Sequence, residues 1–443
     1  MLALALAAAC ADHEQPAERQ GPVTYQRDVR PVIEASCLPC HETDGSAPFA
    51  LDSWDKVRAL DTVIERAVVS GAMPPFPADP ACRPLHDPAA LSPNTRALFS
   101  AWRAAGSLEG DESAYVAPSR HAAFSRGEPE LVLHPDSAYT PPAQRDEYRC
   151  FVLGKLASDT YLRALEIAPE RRRQVHHAQL HVLTPAQQSA VEALDDAEPG
   201  LGYACPTGSG VGSQLLYSYR PGSGATVFAD GDAAFVARDR SLLLQVHYNT
   251  ELPDGAAPLP DQTKVLLWTL AAGELPTHVM YRTGATASID LPAGAAQVVS
   301  SADSPLYMLS SFGSFSGFGG TFLAGELVGI APHAHHLATR LSARLTHADG
   351  RQACLIDVPR WDFHAQLDYR FARAEPYGAD DRLQIRCEYD NSAAHQPAVS
   401  GVVQAPRDVV WGERASDEMC LFYLWLRFER GAFLRALALG APP

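Results

Sequence analysis

A chain of 443 residues has room for two to four domains, and 46% hydrophobic with 20% charged residues is the balance of a globular protein with real cores. That balance excludes a disordered chain and a bundle of membrane spans. A net charge of −16, with 36 Lys and Arg against 52 Asp and Glu, argues against nucleic acid or an anionic membrane surface as partner.

The chain opens on an apolar run, MLALALAAA, that stops at Cys10 before the polar ADHEQPAERQGP. The run is far too short to span a bilayer. Small residues before a cysteine resemble the end of a bacterial lipoprotein signal, although the basic residues that usually precede one are missing. That resemblance implies that residues 1–19 are a signal or tether, with Cys10 acylated. The protein is then expected outside the cytoplasm, in the periplasm or on the outer surface, and anchored through lipid.

Next comes EASCLPCHETDG, which holds the C-x-x-C-H form that accepts a covalent c-type haem. Cys37 and Cys40 would add to the two vinyl groups from one helical turn, and the adjacent His41 would coordinate the iron. Downstream, SGAMPPFPADP places Met73 in a proline-held loop as the expected sixth ligand, a thioether that would raise the haem potential. The flanking stretches QRDVRPVIEAS and LSPNTRALFSAWRAAG carry apolar residues at helical spacing. Residues 20–110 resemble a class I-like cytochrome c domain of the kind fused to other bacterial oxidoreductases, which implies a small all-α domain with one haem c. Thioether attachment of haem also belongs outside the cytoplasm.

Of the nine cysteines, two are assigned to haem and one to lipid, leaving Cys82, Cys150, Cys205, Cys354, Cys387 and Cys420. An even remainder in an oxidising compartment suggests disulfides, and the sequence by itself leaves fifteen connectivities open.

After Asp111 the texture changes. Runs such as EYRCFVLG, LLLQVHYNT, TKVLLWTL, GELVGIAP, LQIRCEYD and CLFYLWLRF alternate with turns rich in Gly, Pro and Asp. That rhythm predicts antiparallel β-sandwiches or jelly rolls, and the length asks for two, 111–273 and 274–443.

Histidines sit in three of these segments. RQVHHAQLHVL holds His176, His177 and His181. Neighbours on a strand point to opposite faces, so His176 and His177 can share a metal only where the strand twists or ends. LLLQVHYNT adds His247. In APHAHHLATRL, His333 and His335 stand at i and i+2, projecting from one face of a strand, while His336 is expected to point away and be exposed. ASDEMCLFYLWL places Met419 beside Cys420.

Taken in order, HH, QVHY, HxHH and DEMC resemble the copper type II monooxygenases, the family of peptidylglycine α-hydroxylating monooxygenase and dopamine β-monooxygenase. The resemblance covers roughly Tyr148 to Glu429. It implies two jelly-roll-like sandwiches, each holding one copper, with solvent between. It assigns His176, His177 and His247 to an electron-transfer copper, and His333, His335 and Met419 to the copper that meets dioxygen. Imidazole suits both copper oxidation states, and a thioether favours Cu(I). The resemblance also implies disulfides Cys150–Cys205 and Cys387–Cys420; it makes no assignment for Cys82 and Cys354.

The expected activity is hydroxylation of a C–H bond of a small molecule by O₂, with two coppers and one haem c per chain and an external donor feeding the haem. In the peptide-hydroxylating branch an Arg precedes the HxH pair and an Asn follows the Met; here Ala331 and Leu421 stand there, leaving Tyr423 in common and making a glycine-extended peptide a poor substrate. His181 and His364 receive no family role and are expected to be structural. Two other classes share the same residues: a haem and copper electron-transfer protein without oxygenation, and a copper-binding lipoprotein.

Overall fold

The computed structural model describes residues 21–440 apart from 46, 76–77, 87–90, 119–126, 144–145, 207, 251–254, 307–323, 364, 400–401 and 415. Cys10, with the expected tether, and His364 lie outside the described residues.

Five short helices come first: α1 Arg30–Ser36, α2 Leu38–His41, α3 Trp54–Ala59, α4 Asp61–Ser70 and α5 Pro93–Ala104. Their ends follow local chemistry. The Ser53 and Ser92 side chains cap α3 and α5 by accepting from the N–H groups of Lys56 and Thr95, and Gly71 ends α4 in the left-handed region at φ 76°. Ile33, Val68, Phe99 and Trp102 gather into a small apolar cluster between them.

The expected all-α cytochrome c-like domain is not formed. The helices run only 4 to 12 residues, and the chain between α4 and α5 leaves them to join the β structure. Ala78 enters the main β core, the Asp79 N–H donates to the Asp357 carbonyl, Leu85 bridges to Phe371, and Cys82 is disulfide-bonded to Cys354. The fold class read from the sequence is therefore corrected to a mostly β chain, 38% strand and 18% helix, with several sheets and seven short helices among the described residues.

One sheet draws its strands from both sides of Glu274. A nine-stranded sheet unites early strands, Thr160–Ala168 and Asp232–Val236, with late ones, His278–Ala287, Gly325–His333, Tyr369–Tyr377 and Cys420–Glu429. The join is a parallel pairing of His278 with Asp232. A five-stranded sheet contains Asp146–Lys155, Val175–Leu183, Gln214–Tyr219 and Ser241–Asn249, and a four-stranded sheet contains Ala338–Thr346 and Arg382–Tyr389. The alternation expected of sheets with one face on a core is plain in Arg382–Tyr389, where Leu383, Ile385, Cys387 and Tyr389 are buried and their neighbours are not. The remaining helices are α6 Pro185–Asp196, opened by a Thr184–Gln187 capping box, and α7 Arg430–Gly440.

Candidate metal centre

The first cluster is set by one irregularity in a strand. Val175–Leu183 pairs with Ser241–Asn249, and their register shifts between Val175 and His177. The shift breaks the strict up-and-down alternation, so the adjacent His176 and His177 both turn toward His247, which lies opposite His177. The Nδ1 atoms of His176 and His177 each stand 3.2 Å from Nδ1 of His247. Two imidazoles bound tetrahedrally at about 2 Å from one ion would have nitrogens about 3.3 Å apart, so the three donors fit a single metal. Burial, then the neighbouring imidazoles of His247 and His176, hold the His177 pKa well below its ordinary value, which keeps the ring in the neutral, ligating form. Tyr148 stacks on His247 with ring centroids 4.0 Å apart and fixes that ring from behind.

The second cluster forms where the strand Gly325–His333 ends. His333 lies opposite Leu421, two residues past Met419. The Nδ1 of His333 donates to Gln366 Oε1 at 2.5 Å, and the Nδ1 of His335 donates to the Asp417 carbonyl at 3.0 Å. Both acceptors are carbonyl oxygens, so the protons sit on Nδ1 and each Nε2 is left to ligate. Burial first, then mutual repulsion, lowers the pKa of His333 to about 3; burial lowers that of His335 to about 4.

A residue that motif spacing did not single out organises this cluster. Glu418 is fully buried, and its carboxylate accepts from the backbone N–H groups of His335, Leu337 and Met419 at 2.9, 2.6 and 3.1 Å. It therefore ties the histidine turn to the methionine segment. Tyr389 donates to the Met419 carbonyl at 2.8 Å, and Cys420 is bonded to Cys387. Met419 itself is buried. Its place in the DEMC motif was the available signal for Glu418.

Phe363 joins the two clusters. Its ring lies 6.0 Å from that of His176 and 6.0 Å from that of His335. The two sets thus face each other across one aromatic side chain, where solvent was expected. His336 is not exposed as expected; it is half-buried, with its ring 4.0 Å from Phe363. A cleft of about 390 Å³ runs from there to Gly71, Ala72 and Pro75 of the N-terminal segment. Nothing in the local sequence around Phe363 marks it, because its role depends on strands far apart in the chain.

The C-x-x-C-H residues lie on and just before the short helix α2, and they do not form a metal-ligand cluster among the described residues. Cys37 and Cys40 are not disulfide-bonded, and the Nδ1 of His41 donates to the Phe49 carbonyl at 3.0 Å, leaving Nε2 to ligate. The segment lies against the five-stranded sheet: a Cβ on Gly222 would come 2.7 Å from Cys40 Sγ, and Glu42 pairs with Arg172. Met73 is 45% exposed, and none of the described contacts joins it to His41.

Cys150 is bonded to Cys205, and Cys387 to Cys420, as the resemblance implied; Cys82–Cys354 completes the three. Three disulfides are compatible with an oxidising, extracytoplasmic compartment. Among the described residues no helix is long and apolar enough to cross a membrane. His181, expected to be structural, is buried and bonded to Ser213 and Gln179.

No protein-family model matches the chain, and no curated protein does. Among solved structures it is similar to the cowpea mosaic virus top component, naturally occurring empty particles, at 9% identity and TM-score 0.26 over 70% of this chain and 94% of that one. It is also similar to the infectious bursal disease virus VP2 subviral particle, at 11% identity and TM-score 0.18 over 72% and 76% of the two chains. A third similarity is to dimeric latent PorU from Porphyromonas gingivalis, at 11% identity and TM-score 0.17 over 69% and 25%. Likenesses this slight carry no argument about fold or function.

Proposed function

We propose that this chain is a copper monooxygenase resembling the copper type II family, which hydroxylates a C–H bond of a small organic substrate with O₂. The observation that carries the reading is the convergence of His176, His177 and His247 on one point, with the His333 and His335 pair facing them across Phe363. Copper held by His176, His177 and His247, and by His333, His335 and Met419, would supply one-electron chemistry and dioxygen activation, while a haem c held by Cys37, Cys40 and His41 would supply single electrons. The protein's own part is to keep five imidazoles oriented, to exclude water with Phe363 and Tyr148, and to hold the Met419 segment through Glu418. Packing of Cys40 against Gly222, next to the sheet that bears the three histidines, supports coupling of the haem motif to that cluster.

Oxygen uptake by the haem- and copper-loaded protein, with a substrate panel and isotopic oxygen traced into product, tests the reading. Labelled alcohol is the expected result. Rapid exchange of electrons with a redox partner, without oxygen consumption, would instead make it an electron-transfer protein.

A further inference from the structure

Beyond the histidines, one face of the nine-stranded sheet carries unbalanced charge. Arg282 lies opposite Trp425, Gly329 lies opposite both Trp425 and Arg370, Ala331 lies opposite Tyr423, and His333 lies opposite Leu421. Directly opposed residues share a face, and so do residues two apart on a strand, so Arg282, Arg370, Tyr423 and His333 all project from the same side. The Arg282 guanidinium sits 4.9 Å from the Tyr423 ring centroid and 5.1 Å from that of Trp425, and Arg370 sits 4.7 Å from the latter. Arg220 approaches from the end of the strand Gln214–Tyr219. Burial alone would raise the Asp368 carboxyl, yet Arg282, Arg370 and Arg220 hold it below its ordinary value.

Asp368 is too little for three guanidinium groups. One of its oxygens already accepts from Trp425 Nε1 at 3.0 Å, the other is buried without a hydrogen-bond partner, and Asp232, on the same face, is engaged by His278 and Arg427. The Arg282 side chain is 1% exposed, lies 3.4 Å from Asp368, and has no hydrogen-bond partner at Nε or Nη1. A buried guanidinium with unmade hydrogen bonds is costly, and its planar fork matches a carboxylate or phosphate. The Asp368 side chain is 23% exposed, although its Oδ1 is buried.

We propose that Arg220, Arg282 and Arg370 form a subsite for the oxyanion group, a carboxylate or a phosphate, of a small organic substrate. That the occupant is the substrate rests on the monooxygenase reading; that an anion binds does not. The register positions of Trp425 and Leu421 are about 13 Å apart along the strand, so an anion held here would leave a C–H bond several carbons away, near His333. Tyr423 lies between and offers an aromatic wall for the intervening part.

Metal-free full-length protein, titrated with benzoate, with the neutral analogue benzamide and with inorganic phosphate, tests the subsite by calorimetry and thermal shift. Saturable binding of benzoate or phosphate, with none of benzamide, is expected, and the tighter of the two anions identifies the group. Arg370→Gln and Arg282→Lys should each weaken that binding at least tenfold; the first alters a residue less buried than Arg282 and so keeps the proposal testable if the second fails to fold. Equal binding of benzamide, no binding of either anion, or unchanged affinity in folded Arg370→Gln would overturn the proposal. Because no copper is present, failure here leaves the copper reading standing, and loss of the copper reading leaves this result intact.

Discussion

Glu418 shows how a single side chain sets the position of two candidate ligands. An Asp at 418 would fall short of three N–H groups, and Gln would turn an NH₂ donor toward them. Glu418→Gln should therefore cost about 1–3 kcal/mol, read as a lower urea midpoint, because at least one buried N–H is left without an acceptor. A midpoint unchanged by this isosteric swap would mean that the carboxylate does not hold the turn. His181 gives a pH prediction. Burial lowers its pKa from 6.5 to about 4, so the folded state keeps the ring neutral where the unfolded chain takes up a proton. Stability from this group is present above pH 6.5 and is lost as pH falls toward 4. The slope is at most about 1.4 kcal/mol per pH unit. His181→Gln should flatten the fall in stability across that window, and an identical pH profile in the variant would contradict the assignment. Legibility at this scale followed ligand chemistry. His176, His177, His247, His333 and His335 stood out because imidazoles at fixed spacings are rare, whereas Phe363 and Arg282 look like ordinary loop and strand residues until distant strands assemble around them.

Among the elements, the segment between α4 and α5 is the one whose role differs most from its sequence pattern. The helical periodicities on either side of it are real, and α1 and α5 form where they were expected. What local pattern could not convey is that Ala78, Cys82 and Leu85 belong to the β structure nearly 300 residues away, because closure of a domain depends on contacts that no short window contains. The Cys82–Cys354 disulfide is assisted there by Arg83, whose guanidinium pairs with Glu375 at 2.6 Å and lies 4.2 Å from the Phe371 ring centroid. Replacing Cys82 and Cys354 by Ser should lower stability by about 2–5 kcal/mol. It should also make the chain around residues 79–86 the first site of limited proteolysis, mapped by mass spectrometry, while Cys387–Cys420 stays intact. Unaltered resistance to protease would show that the segment is held by its other contacts alone. The bulge at Val175 and His177 is the reverse case: two adjacent histidines on a strand signalled that an irregularity had to be present, and the register shift supplies it.

For the whole molecule, the alternation of apolar and polar residues after Asp111 announced β structure correctly, and the sheet shared by early and late strands was not legible because strand order within a sheet is not written in strand composition. The shared nine-stranded sheet brings early and late strands into one body, and with it the histidines of Val175–Leu183 and those beside Gly325–His333 to either side of Phe363. Phe363→Ala should leave copper content unchanged while admitting water between the two sets, seen as a gain in proton relaxation around the metals. No gain would mean that Phe363 does not close the space. The proposed function requires these two sets each to bind one copper and to face each other. Copper content together with pulsed electron paramagnetic resonance of the Cu(II)-loaded protein tests it most directly. Two coppers per chain with strong dipolar coupling are expected, falling to one uncoupled copper in His247→Ala and in Met419→Ala. A single copper per chain after full loading, or two that show no coupling, would contradict it.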